Sequence, residues 1–226
     1  MIYDNVISAT FLSRPNRFIA HVVVDGKTEA AHVKNTGRCR ELLIPGANVI
    51  LQKSDNDRRK TRYDLIAVYK EGRLINMDSQ APNKVFSEYL QSGRYIEGIT
   101  LIKPEARRGG SRFDFYIEAG QRKIFIEVKG VTLEAKGVVL FPDAPTERGL
   151  KHLNELVQCV KDGLEAHVVF VVQMNDVLYF RPNDKTHPAF GEALGAAEKA
   201  GVKVAAFDCA VTEDSLTIGG PVSIKL

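Results

Sequence analysis

Residues 166–173, AHVVFVVQ, form a short continuous apolar run rich in β-branched residues. A strand with only one covered face alternates apolar and polar positions. An unbroken run requires cover on both faces. The chain therefore needs a sheet with helices packed against each side. Its second half supplies them. TERGLKHLNELVQCVKDG (146–163) places Leu150, Leu153, Val157 and Val160 at helical spacing, with Thr146 as N-cap. HPAFGEALGAAEKAG (187–201) reads as a further helix, and VLYFRP and VKVAAFD as further strands. Strands alternating with helices define an α/β region with a mixed sheet.

The first 79 residues follow a different pattern. NVISATFL, RFIAHVVV, TEAAHV, ANVILQK, YDLIAVYK and RLINM read as strands, with Asp25-Gly26 as a hairpin turn between the second and third. RCRELL (38–43) reads as a short helix between the third and fourth. Five main strands with a helix in that place match a small Greek-key barrel of the OB type, a fold that holds oligonucleotides. The expected organisation is an OB-like β-barrel over residues 1–79 and an α/β (α+β) domain over 80–226. A helix from Asn83, its cap, to Gly93 opens the second part, with Phe86, Tyr89 and Leu90 on its apolar face.

Composition narrows the partners. A net charge of +3 permits nucleic acid without requiring it. Cys39, Cys159 and Cys209 lie far apart and include no CxxC pair, so neither a disulfide framework nor a zinc site is expected, and a reducing cytoplasm fits. The first residues carry no signal-peptide pattern, and no apolar run approaches the roughly 20 residues of a membrane span. Nothing in the sequence sets an oligomeric state.

Two adjacent segments carry chemistry. In KIFIEVKGV (123–131), alternation puts Ile124, Ile126 and Val128 on one face and Phe125, Glu127 and Lys129 on the other. In SRFDFYI (111–117), Phe113, Phe115 and Ile117 point one way, and Arg112, Asp114 and Tyr116 the other. A hairpin of the two strands sets Asp114 beside Glu127. Carboxylates that close repel unless a cation joins them. An all-oxygen pair, with the Val128 carbonyl as a further ligand, suits Mg2+ or Mn2+. Lys129 then faces the attacking water and the phosphate. The triplet alone is not diagnostic, since Glu134-Ala-Lys136 repeats its spacing. Strand context and the upstream Asp114 distinguish it.

An Asp on one strand and Glu-x-Lys on the next, after a helix bearing a Glu, resembles the PD-(D/E)XK nuclease superfamily. More narrowly, KNTGR, SDN, SRFDFYI, IEVKGVTL and FPDAPTERGLKHLNEL resemble the sugar fermentation stimulation protein A family along essentially the whole chain. The resemblance implies an N-terminal OB-like domain, a C-terminal nuclease-like domain, and binding of DNA or RNA. It carries the superfamily's two acids onto Asp114 and Glu127, its lysine onto Lys129 and its helix acid onto Glu88. Phe113 stands where the superfamily carries proline. Glu105 is a further acid that the resemblance retains, as an alternative metal ligand.

Basic residues complete the reading. Arg148, Lys151 and His152 lie near the start of the helix that follows the motif, where phosphate contact is favoured. Arg58, Arg59, Lys60 and Arg62 crowd one hairpin of the barrel, a place for a nucleic-acid strand to ride. The leading expectation is a metal-dependent nuclease. The alternative is a non-enzymatic DNA-binding regulator of sugar fermentation built on a nuclease scaffold. No helix-turn-helix is readable to serve as a sequence reader.

Overall fold

The computed structural model describes residues 1–35, 37–56 and 58–226. Six strands make the first sheet: β1 (Val6–Ser13), β2 (Ile19–Val24), β3 (Lys27–Val33), β4 (Asn48–Lys53), β5 (Tyr63–Lys70) and β6 (Arg73–Asn76). Their order is β3-β2-β1-β4-β5-β6. A parallel pairing of β3 with β5, Ala31 opposite Tyr63, closes five of them into a barrel of OB topology. Ala20, Val22, Ala31, Val49, Leu51 and Leu65 fill it and are fully buried.

The short helix expected at 38–43 is absent. Cys39 takes a left-handed backbone, φ 45°. The amides of Leu42 and Leu43 both bond its carbonyl, which gives a single turn that ends before Pro45. One turn suffices to bury Leu42 and Leu43, so no longer helix forms.

The second unit opens with α1 (Ala81–Gln91). Its N-cap is Gln80, not Asn83, because Pro82 already sits inside the first turn. A six-stranded mixed sheet follows in the order β15-β14-β12-β9-β8-β7. Its strands are β7 (Ile99–Arg108), β8 (Ser111–Ala119), β9 (Arg122–Val131), β12 (Glu165–Val172), β14 (Lys203–Val211) and β15 (Leu216–Pro221). As the unbroken apolar run required, β12 is central, parallel to both β9 and β14. On one face lie α1 and the cluster of Phe86, Phe115, Ile126 and Val169. On the other, α2 (Glu147–Lys161) and α3 (Pro188–Lys199) cover Phe125, Val168 and Phe170. Thr146 caps α2 as its sequence predicts, its Oγ1 accepting from the Gly149 amide at 3.0 Å. A third, small sheet joins β10 (Leu133–Ala135), β11 (Val138–Phe141) and β13 (Tyr179–Pro182).

The two units share one apolar cluster that runs from Phe11 and Leu51 to Leu153 and Phe170. A buried polar network pins them together. The Gln173 side-chain amide donates to Asn76 Oδ1 (2.8 Å) and to the Asp78 carbonyl (3.0 Å), and Asn76 donates to the Tyr3 hydroxyl (3.0 Å). Ile2 bridges to Ser215, so the first residues clasp the second unit rather than the barrel alone. Such satisfied networks fix orientation, and this one lies directly behind the end of β9. Among the described residues, no helix is long and apolar enough to cross a membrane. All three cysteines are free and buried.

Candidate active site

On β9 the expected alternation holds. Ile124, Ile126 and Val128 face α1, while Phe125 and Glu127 face α2. On β8 it breaks. Phe115 and Ile117 pack on the α1 side, but Phe113 packs on the α2 side, against Phe125 and 6.1 Å from the His152 ring. The expected common face of Phe113, Phe115 and Ile117 therefore fails at Asp114, where the strand changes face. The β8–β9 ladder stops at Phe115–Ile126, one position before Asp114 would meet Glu127. In place of the ladder, Asp114 Oδ2 accepts the Val128 amide at 2.7 Å. Its Oδ1 accepts from the Asn83 side chain of α1 at 2.6 Å. Asn83, expected as a helix cap, instead ties α1 to the site.

Glu127 is nearly sealed, at 4% exposure. Its Oε1 takes two partners, Lys129 Nζ at 2.5 Å and His152 Nδ1 of α2. His152 Nε2 accepts in turn from Arg148 Nε at 3.4 Å. Nδ1 is thus the ring nitrogen that faces Glu127, and Nε2 the one that faces Arg148. Glu127 Oε2 is buried with no hydrogen-bond partner among the described residues. Burial alone would raise the Glu127 carboxyl, but the His152 hydrogen bond and the Lys129 cation outweigh it and hold it below the ordinary range. Asp114 goes the other way. Burial and then the Glu127 charge push it up to about 6, against the opposing Val128 and Asn83 hydrogen bonds.

The remaining candidates are spread around this centre. Glu88 and Glu105 line a cleft of about 500 Å³ together with Asp114. Each already has a cationic partner: the Met1 ammonium for Glu88 (2.7 Å) and Arg112 for Glu105 (2.7 Å). Lys151 points away to the β7–β8 turn, donating to the Gly110 carbonyl at 2.8 Å. On the barrel hairpin, Arg59 is spent on a two-pronged pair with the buried Asp64, at 3.0 and 2.5 Å. Arg58, Lys60 and Arg62 extend from the same hairpin, outside any ion pair among the described residues. Among the described residues, no three His, Cys, Asp or Glu side chains are placed to close around one metal ion.

Gly130 ends the motif for a packing reason. A Cβ there would sit 2.7 Å from both Pro82 Cγ and Gln173 Oε1. The proline ring belongs to α1 and the glutamine to the network between the units, so neither yields freely. Gly130→Ala is expected to cost about 1–3 kcal/mol, as overpacking does, read as a lowered Tm in thermal melts. A variant that melts with the wild type would show the contact to be soft.

Comparison with known proteins agrees with this architecture. The SfsA N-terminal OB domain matches residues 12–77, and the sugar fermentation stimulation protein RE domain matches 80–215. The sugar fermentation stimulation protein homolog of Desulfitobacterium hafniense is 64% identical over 226 residues, covering 100% of this chain and 99% of that one. The homolog of Clostridium beijerinckii is 56% identical, with 100% of both covered. The solved structure of Pyrococcus furiosus SfsA in complex with Ca2+ superposes with a TM-score of 0.90 at 30% identity, covering 100% of this chain and 98% of the other. With matched domains across both units and whole-length relatives, the chain belongs to the sugar fermentation stimulation protein family.

Proposed function

We propose that this protein is a metal-dependent nuclease that hydrolyses phosphodiester bonds of DNA or RNA at Asp114, Glu127 and Lys129. The observation that carries the reading is the buried, unpartnered Glu127 Oε2 beside a second carboxylate whose affinity for protons is raised. A buried acceptor without a partner costs about 1–3 kcal/mol, and an adjacent carboxylate adds repulsion. A divalent cation relieves both. The residues fit such an ion: Asp114 and Glu127 as oxygen ligands, with the Val128 carbonyl next to Glu127 in sequence. Two carboxylates without a third leave coordination positions for water and phosphate, the habit of Mg2+, and Mn2+ accepts the same oxygen set. The Ca2+ complex of the Pyrococcus furiosus relative supports a divalent site in this family. Glu88 and Glu105, on the wall shared with Asp114, would serve as further acids near such an ion once released from the Met1 ammonium and Arg112.

When bound, the ion supplies Lewis-acid charge to the phosphate and lowers the pKa of a bound water. The protein supplies the rest. Asn83 and the Val128 amide hold Asp114 in one orientation, and His152, fixed by Arg148, does the same for Glu127. Lys129 carries a positive charge beside the carboxylate pair, where the phosphate gains charge in the transition state. The barrel, with Arg58, Lys60 and Arg62, adds phosphate contacts that carry no sequence information.

The test is cleavage of single- and double-stranded DNA and RNA with Mg2+, Mn2+ or a chelator. Cutting is expected with metal only, and is expected to be lost in Asp114→Asn and Glu127→Gln. Calorimetry on the same two variants should show metal affinity reduced by an order of magnitude or more. Wild-type protein that binds nucleic acid and never cuts, across these metals and substrates, would favour a DNA-binding regulator.

A further inference from the structure

A cleft of about 840 Å³ lies away from the carboxylate pair. One wall comes from the β1–β2 and β3–β4 connections of the barrel, with Arg14, Arg17, Arg38 and Arg40. The other is the segment from Phe141 to Thr146 that leads into α2. None of these four arginines pairs with a carboxylate among the described residues, whereas Arg59, Arg73, Arg108, Arg112, Arg122 and Arg181 all do. Arg14 is locked in place. Its guanidinium donates to the carbonyls of Gly37 and Arg38 (both 2.8 Å), Arg17 (2.7 Å) and Asn35 (2.6 Å). Carbonyls orient a cation without neutralising it. Arg14 Nε, also buried, has no acceptor among the described residues. Arg17, Arg38 and Arg40 are exposed on the cleft, and Asp143 is the one acid among the described residues that line it.

Two further features give the cleft a direction and a ligand class. Its far wall ends at Thr146, the cap of α2, and the first turn of α2 carries Arg148, which holds His152 on Glu127. Arg148 thus stands between the barrel arginines and the carboxylates, with Asp143 and Glu147 as the acids along the same segment. Beside Arg17 stands Phe18, 51% exposed, with the Arg17 guanidinium 5.9 Å from its ring. An exposed aromatic next to unpaired arginines is the pattern on which unpaired bases stack while phosphates are gripped. The volume lies within the roughly 300–1,000 Å³ of small-ligand sites, room for a short run of unpaired nucleotides.

We infer that this cleft binds the phosphodiester backbone of single-stranded nucleic acid and delivers it along α2 to the nuclease centre. The inference builds on the proposed nuclease activity, but its test reads binding alone. Fluorescence anisotropy of a labelled oligothymidylate and of an oligouridylate, in chelator, is measured against salt for two triple variants. Arg17→Gln/Arg38→Gln/Arg40→Gln empties the cleft of its free cations. Arg58→Gln/Lys60→Gln/Arg62→Gln removes the same charge from the barrel hairpin.

Because three cations that grip single-strand phosphates are neutralised, the slope of log affinity against log salt should shrink by about 2 for the cleft variant. Its affinity near 0.1 M salt should fall at least tenfold, and by clearly more than that of the hairpin variant. A labelled duplex should show a smaller difference between the two. Equal losses in both variants, or no loss in the cleft variant, would overturn the cleft, as would a wild type that binds none of these oligonucleotides. Should the cleft variant not fold, protection of Arg17, Arg38 and Arg40 from phenylglyoxal by oligothymidylate on the wild type decides instead, and absence of protection overturns the inference. Cleavage reads separately: a wild type that binds through the cleft and cuts nothing leaves the cleft standing and removes the nuclease.

Discussion

Lys129→Ala is expected to lower the rate of phosphodiester cleavage by roughly 100-fold or more, the usual cost of removing a preorganised electrostatic stabiliser. Binding of the same oligonucleotide in Ca2+ should stay within about twofold. The separation follows from where the side chain sits. Its Nζ lies 2.5 Å from Glu127 Oε1, and the side chain is largely buried. It therefore contributes little to a long electrostatic footprint carried by exposed arginines, and acts where charge develops. Glu127 keeps its His152 hydrogen bond in the variant, so the carboxylate remains oriented. Single-turnover cleavage in Mg2+ and anisotropy in Ca2+, on one preparation, provide both numbers. A variant that cuts at the wild-type rate would remove Lys129 from the mechanism. One that loses binding and cleavage together would make it an ordinary phosphate contact.

Much of this site is legible in the sequence because each part depends on a local rule. The continuous apolar run of β12 requires cover on two faces. Thr146 before an amphipathic stretch marks the start of α2. Alternation on β9 sets Glu127 and Lys129 on the α2 side. What is not legible depends on contacts far apart in the chain. Asp114 breaks the alternation of β8 because its carboxylate replaces a ladder partner for the Val128 amide. Asn83 reads as a cap but finds Asp114 31 positions away. Strands β10 and β11 are too short to show a period, and β11 exists by pairing with β13, some 40 residues on. The arginine cleft has no motif at all. Arg14 and Arg17 belong to one connection and Arg38 and Arg40 to another, and only closure of the barrel against the α2 segment makes them neighbours. By contrast, the conspicuous basic hairpin gives up Arg59 to Asp64.

Without a divalent ion, Asp114→Asn is expected to stabilise the protein above pH 7 while abolishing its response to metal. Burial and the Glu127 charge raise the folded carboxyl to about 6, against an ordinary 3.8. Between these values the folded state holds the proton that the unfolded state has released. Asp114 therefore favours folding most at the acid end of this window. That contribution is lost as pH rises through about 6, and it amounts to on the order of 3 kcal/mol. Glu127, held below its ordinary 4.5, stays ionised through the upper part of the window. Asparagine mimics the protonated form, and rotation of the Asn83 amide restores a donor–acceptor match with it. The Tm of Asp114→Asn minus that of the wild type, measured in chelator, should be positive at pH 8, fall to about half of that at pH 5, and approach zero only toward pH 4. Taking the difference cancels other titrating groups such as the buried His167. Adding Mg2+ should reverse the order at pH 8, because the ion stabilises only the state that binds it, and should do little at pH 5, where protons occupy the wild-type site. A difference that does not change with pH would mean that neither burial nor the Glu127 charge raises the Asp114 carboxyl. An equal Mg2+ shift in both proteins would place the ion elsewhere.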